Sequence, residues 1–183
     1  VTVFQRTPNY SLPTQNQPMT EEYAQYWKDN YPALREEQRH TGKGSIRDLN
    51  DESALAVSAE DRDAMYTKRW AVGGTGFLSA YNDLILSREA NETAAEFVRN
   101  QIRATVRDRQ VAELLVAKDY PIGAKRICVD SGYFETYNRD NVALVDISDA
   151  PIERLTETGL VVNDQSYEFD AIVFATGFDA MTG

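Results

Sequence analysis

Val1-Thr2-Val3-Phe4-Gln5-Arg6-Thr7-Pro8 opens the chain, and Ala171-Ile172-Val173-Phe174-Ala175-Thr176-Gly177 stands near its other end. The first is a run of β-branched and aromatic residues that stops at a basic residue and a proline. The second is a short apolar run that stops at Thr-Gly. Continuous apolar strands of this kind belong to sheets covered on both faces, usually parallel ones. A buried strand needs neighbours, so part of its sheet is expected from sequence outside these 183 residues. The chain therefore reads as an internal piece of a larger protein.

Working inward from the first strand, Pro8 and Pro13 force an extended loop. Thr20 has the chemistry of an N-cap, with Glu21 and Glu22 behind it and Tyr23, Tyr26 and Trp27 on one side, which predicts a helix to about residue 30. Pro32 suits the first turn of a further short helix through Glu37. Ser58 followed by Asp61 resembles a capping arrangement and opens a helix ending near Trp70. Gly73, Gly74 and Gly76 form a break. The longest helical pattern runs from about Glu89 to Asp108: Ala94, Val98, Ile102 and Val106 make one apolar stripe. Glu96, Arg99, Arg103 and Arg107 opposite it read as a solvated face. Residues 111–118 predict another turn or two of helix.

After Pro121 the character changes to strands, predicted at 126–130, 142–146, 159–163, 167–170 and 171–175, with a short helix at about 132–138. Asn163-Asp164 is the turn of a hairpin. A sheet-forming start and end thus flank a helical middle. The fold class is α/β: residues 1–18 and 119–183 form the α/β part, and residues 19–118 a helical insertion.

Bulk chemistry excludes several functions. A net charge of −10 gives a field of the wrong sign for nucleic acid or for an anionic membrane. Cys128 is the only cysteine, so no intrachain disulfide forms, and its neighbours Ile127 and Val129 suggest a buried structural thiol. His40, the only histidine, lies in polar sequence with no second ligand nearby. A metal site and a Ser-His-Asp hydrolase are therefore poor expectations. No run has transmembrane length and no signal peptide is visible, so a cytoplasmic location is expected. Asn91-Glu92-Thr93 fits a glycosylation acceptor and is discounted on the same ground.

Basic residues that hold an anion must then be local. Arg6 stands at the carboxyl end of a strand, where open α/β sheets bind ligands. An acid there would suit the ribose hydroxyls of NAD. A basic residue suits the 2′-phosphate of NADPH instead, through a fixed fork of donors, and Thr7 adds a hydroxyl. Taken alone, strand-plus-Arg is a weak signal, and Arg6 reads as a surface arginine after a strand. Lys125-Arg126 is a second cationic pair, at a loop-to-strand junction.

FQRTPNY at 4–10, YPIGAKR at 120–126, YNRDNVALVD at 137–146 and ATGFDAMTG at 175–183, with RWAVGGTGF at 69–77 and NETAAEFVRNQIR at 91–103, resemble Baeyer–Villiger monooxygenases of the flavoprotein class. The resemblance covers essentially the whole chain. It implies an incomplete Rossmann-like NADP-binding domain carrying a helical insertion, within an enzyme that uses FAD, NADPH and O2 to convert a small-molecule ketone into an ester or lactone. By position, Arg6, Thr7 and Lys125 would hold the NADPH 2′-phosphate. Arg126 would be the active-site arginine, also facing the cofactor, with a charge that persists at any working pH and stabilises negative oxygen. Phe77 and Leu78 would line the ketone pocket, or else be core residues of the insertion. The family's glycine-rich phosphate loops, its FxGxxxHxxxW fingerprint and the acid beside the flavin are not among these residues. The FAD site is thus expected in a remainder of the same protein, and the chain alone is expected to be inactive and to bind NADPH weakly at most. Two other readings stay open: a related flavoprotein that oxygenates nitrogen or sulfur, and a non-catalytic binding module.

Overall fold

The computed structural model describes residues 1–42, 44–46 and 49–177. The chain forms two compact units, one made of Val1–Thr7 with the chain from Asn141 onward, the other of Pro8–Asp140. Residues 8–18 and 119–140, read from sequence with the α/β part, pack with the helices in the second unit.

In the first unit, strand β1 (Thr2–Gln5) pairs in parallel with a strand from residues 143–146, Thr2 opposite Ala143 and Gln5 opposite Asp146. The Val1 ammonium donates to the Asn141 carbonyl at 2.7 Å. Every residue of β1 is half-buried rather than enclosed. A three-stranded antiparallel meander of Arg154–Leu155, Gly159–Val162 and Gln165–Glu168 completes the unit. Its middle strand is buried throughout, and the Phe4 ring meets Tyr167 and Phe169 edge-on at 5.1 and 5.9 Å. The hairpin turn falls at Asn163-Asp164, with both φ angles positive at 50° and 59°, the twist-matched form that Asn and Asp tolerate. At Gly159 a Cβ would fall 1.8 Å from the Tyr167 carbonyl oxygen, so only glycine lets the two strands approach there.

The apolar run 171–175 is not a strand. It has no regular structure, and Val173 and Phe174 are 88% and 59% exposed. The expectation of a buried strand is corrected for a physical reason: among the described residues no strand pairs with it, and an apolar segment without a ladder partner cannot satisfy its backbone in a sheet.

In the second unit, β2 (Ser11–Pro13) pairs in parallel with β3 (Cys128–Asp130). Helix α1 (Glu21–Arg39) starts at Thr20, whose hydroxyl accepts from the Tyr23 amide, and runs unbroken through Pro32. The expected division into two helices is corrected: the missing Pro32 N–H costs one hydrogen bond without forcing a break. No residue of α1 is buried.

Helix α2 (Ala59–Val72) is capped by Ser58, whose hydroxyl accepts from the Asp61 amide. It ends at Gly73, φ 77°, and a 3-10 turn, Gly74–Ser79, follows. Helix α3 (Arg88–Thr105) and the short α4 (Arg109–Leu115) are capped by Ser87 and Asp108. The stripe Ala94, Val98, Ile102 and Val106 is at most 2% exposed. The rings of Tyr66, Phe77 and Phe97 meet at 5.5–5.8 Å to join α2, the 3-10 turn and α3.

On the other face of α3, Arg99 is not solvated as expected but 6% exposed. A guanidinium can be enclosed when its donors are met, and here the Ala117 carbonyl, the Tyr10 hydroxyl and the Glu92 and Glu96 carboxylates accept them. Cys128, expected to be buried, is exposed, because β3 is the outer strand of a two-stranded sheet: Cys128 and Val129, on its opposite faces, are both exposed, while Ser11 and Leu12 of β2 are buried. His40 caps α1 and is solvated, 3.2 Å from Glu36.

Candidate functional site

Residues 120–126 are a loop whose position is set from below by side chains of the second unit. Asn91, 6% exposed on α3, uses its whole amide on backbone. Its Nδ2 donates to the Leu84 and Ile122 carbonyls, both at 2.8 Å, and its Oδ1 accepts from the Ile122 N–H at 3.0 Å. An amide so enclosed is no glycan acceptor in this fold. Ile122 is 1% exposed. The chain then turns at Gly123, φ 89°, where a Cβ would lie 2.9 Å from Leu78 Cδ1. Leu78, half-buried, therefore lies directly against this loop. Phe77, 1% exposed, turns into the aromatic core beside it.

The upper half of the loop is held by polar contacts. The Tyr120 hydroxyl donates to the Pro8 carbonyl at 2.7 Å and lies 2.8 Å from Asn9 Oδ1. Asn9 Nδ2 in turn donates to the Arg126 carbonyl at 3.3 Å and approaches Cys128 Sγ at 3.4 Å. Below them Tyr10, 1% exposed, donates toward the Ala117 and Tyr120 carbonyls and accepts from Arg99 at 3.0 Å. The Lys125 ammonium sits 4.3 Å from the centre of the Tyr120 ring, within cation–π range.

Two exposed cations, Lys125 and Arg126, are thus presented on a loop whose supports are interior. Burial raises the Tyr120 and Tyr10 phenol pKa values, so both stay protonated donors at neutral pH. Burial opposes the Arg99 charge, but its hydrogen bonds to Glu92, Glu96 and Tyr10 outweigh that and raise its pKa. Arg6 and Thr7 are exposed at the carboxyl end of β1 and belong to the first unit.

A separate cavity of about 360 Å³ is lined by Gln15, Asn16, Trp70, Thr105, Asp130 and Glu135 among others. Neither Lys125 nor Arg126 lines it. Among the described residues no group of three or more His, Cys, Asp or Glu could hold a metal ion, and no helix is long and apolar enough to cross a membrane. Asn9, Tyr10 and Tyr120 were not singled out from sequence, and Asn91 and Arg99 were read there only as a discounted glycan acceptor and a solvated arginine. All five lie inside the quoted segments, but only contact shows that they serve the loop.

No family model matches the chain. Among curated proteins, 2-oxo-Delta(3)-4,5,5-trimethylcyclopentenylacetyl-CoA monooxygenase of Pseudomonas putida is 43% identical over 182 residues, 99% of this chain and 33% of that protein. Cyclopentanone 1,2-monooxygenase of a Comamonas species is 39% identical over 100% of this chain and 34% of its own. Phenazine N-monooxygenase PhzNO1 of Lysobacter antibioticus is 32% identical over 100% of this chain and 34% of its own. Among solved structures, an oxidized steroid monooxygenase bound to NADP superposes with a TM-score of 0.93 at 50% identity, over 99% of this chain and 35% of that one. This chain is a homologue of Baeyer–Villiger monooxygenases. A structure of OTEMO in complex with FAD and NADP gives a TM-score of 0.95 at 42% identity, over 100% of this chain and 34% of that one. The mixed helix-and-strand fold is thus that of Baeyer–Villiger monooxygenase structures, and the chain spans about a third of the length of the relatives it matches.

Proposed function

We propose that this chain is the part of an FAD- and NADPH-dependent Baeyer–Villiger-type monooxygenase that presents cations to the nicotinamide cofactor and to the reacting oxygen. The product is the ester or lactone of a small-molecule ketone. The observation that carries the reading is the anchored loop with Lys125 and Arg126 exposed upon it, in a chain homologous throughout to ketone monooxygenases.

In this reading residues 1–18 and 119–183 are a partial Rossmann-like NADP-binding domain and residues 19–118 its helical insertion. The residues present fit NADP: Arg6 and Thr7 follow a parallel strand at its carboxyl end, where phosphate-binding groups belong, and Lys125 is an exposed ammonium over the Tyr120 ring on a loop held by interior contacts. Arg6 and Thr7 bind the 2′-phosphate, with Lys125 as a further cation on it. Arg126 orients the cofactor through its fixed fork of donors and lowers the cost of negative charge on oxygen during attack on the carbonyl. Leu78, with Phe77 behind it, faces the ketone. FAD, held by the remainder of the same protein, supplies the activation of O2 when bound.

In the full-length enzyme, Arg126→Ala is expected to abolish ester formation from ketones while flavin reduction by NADPH persists in part, read by stopped-flow absorbance and product analysis. Normal ester yield from that variant would end the assignment. A second reading, nitrogen oxygenation, is favoured by the likeness to a phenazine N-monooxygenase. Supplying the enzyme with cyclic ketones and aromatic N-heterocycles in parallel decides between them by which substrate is consumed.

A further inference from the structure

Lys125 has a neighbour that no cofactor role requires. The ammonium of a lysine is a compact charge on a flexible stem, and left in solvent it samples many rotamers before meeting an anion. Here its Nζ is seated over the Tyr120 ring, 4.3 Å from the centroid. That ring is not free to move with it. Its hydroxyl is tied to the Pro8 carbonyl and Asn9, and the ring packs at right angles to Tyr10 with centroids 5.6 Å apart. Tyr10 is itself locked by the buried Arg99. A continuous path of contacts therefore runs from the interior of α3, through Arg99, Tyr10 and Tyr120, to an exposed cation. Asn9 branches from it to the carbonyl of the adjacent Arg126.

We propose that Tyr120 is a positioning residue for Lys125: its anchored ring holds the ammonium in the orientation that meets the 2′-phosphate of the cofactor. The inference rests on the reading of Lys125 as a 2′-phosphate cation and adds to it a residue that touches neither cofactor nor substrate. It follows that Tyr120 contributes to choosing a phosphorylated over an unphosphorylated adenosine, not to adenosine binding in general. A ring that only filled the core would affect both ligands alike. Exposed cation–π contacts set the scale, about two- to fivefold in affinity.

The test titrates the full-length enzyme with adenosine 2′,5′-bisphosphate and with adenosine 5′-monophosphate, followed by calorimetry. The wild-type enzyme is expected to prefer the bisphosphate, and Lys125→Ala to lose much of that preference. Tyr120→Leu should lower the preference by about two- to fivefold, and should lower it no further when combined with Lys125→Ala. Tyr120→Phe, which keeps the ring and folds more safely, should fall between wild type and Tyr120→Leu because the ring is no longer tied to Pro8 and Asn9. Equal weakening of both ligands in Tyr120→Leu, an undiminished effect in the Lys125→Ala background, or a wild-type preference in Tyr120→Phe would overturn the proposal. A wild-type enzyme that does not distinguish the two ligands would instead overturn the 2′-phosphate reading on which it rests.

Discussion

Arg99 shows how a single side chain can invert an inference from pattern. Its spacing puts it on the polar face of α3, with Glu96 and Arg103 as neighbours in the helix, and the expectation of a solvated arginine follows. Yet Tyr10 and the segment 116–117 cover that position, and the guanidinium answers with hydrogen bonds to Ala117, Tyr10, Glu92 and Glu96. Its removal takes the donor from the buried Tyr10 hydroxyl oxygen and one of two donors from the Ala117 carbonyl, which keeps Tyr10, at about 1–3 kcal/mol for a buried group left unmet, while Glu92 and Glu96, more than 45% exposed, regain water. Arg99→Ala is therefore expected to lower stability by about 2–3 kcal/mol, measured by urea unfolding. Arg99→Lys recovers only part of it, because one ammonium cannot span the same acceptors. A loss below about 0.5 kcal/mol in Arg99→Ala, the range of ordinary surface changes, would show that the network carries little weight. Cys128 teaches the same lesson in reverse: apolar neighbours in sequence do not bury a residue when its strand is the outer one of a two-stranded sheet.

At the scale of the element, helix starts were legible because a cap is a local contract between a hydroxyl or carboxylate and an amide two or three residues on. Thr20 and Ser58 were readable for that reason, and so was the Asn163-Asp164 turn, which needs two residues that tolerate positive φ. Pro32 was misread because a proline shows where a hydrogen bond is missing, not whether the flanking turns suffice without it. Since no residue of α1 is buried, its own propensity decides its stability. Pro32→Ala restores an amide donor and removes a ring clash worth about 3 kcal/mol in a helix interior. Amide exchange across Glu21–Arg39 is expected to slow by about tenfold or more, with the melting temperature of the whole chain unchanged because α1 opens locally. A rise in that melting temperature would place α1 in the cooperative core.

For the whole molecule, the acidic balance makes the response to acid informative. Hydrogen bonds from Arg103 and Lys118 pull Glu113 from 4.5 down to about 2. For Glu96 burial pushes the other way, but its bonds to Arg99 and Arg103 outweigh it and lower the pKa. A depressed native pKa means the stabilisation is present above the unfolded value and is lost as pH falls through the folded one. For Glu113 the loss therefore runs from pH 4.5 to about 2. Urea midpoints of the wild-type chain are expected to decline across that window, and those of Glu113→Gln to decline less, the two profiles converging at the acid end. Parallel profiles would show that Glu113 keeps its ordinary affinity for protons in the folded chain.

What residue order decided by itself was everything set by neighbours within a few positions: the caps, the apolar stripe of α3, the hairpin turn, and the motifs that carry the likeness to Baeyer–Villiger monooxygenases. Only the tertiary structure decided that Arg99 is interior, that Cys128 is exposed, that the run 171–175 is unpaired, and that Asn9, Tyr120 and Asn91 hold the loop bearing Lys125 and Arg126. Those outcomes depend on contacts between distant segments, such as Tyr10 with Arg99, 89 residues apart, and Asn9 with Arg126, 117 apart. Burial and hydrogen-bond partnership across such distances are properties of packing, which no local pattern encodes.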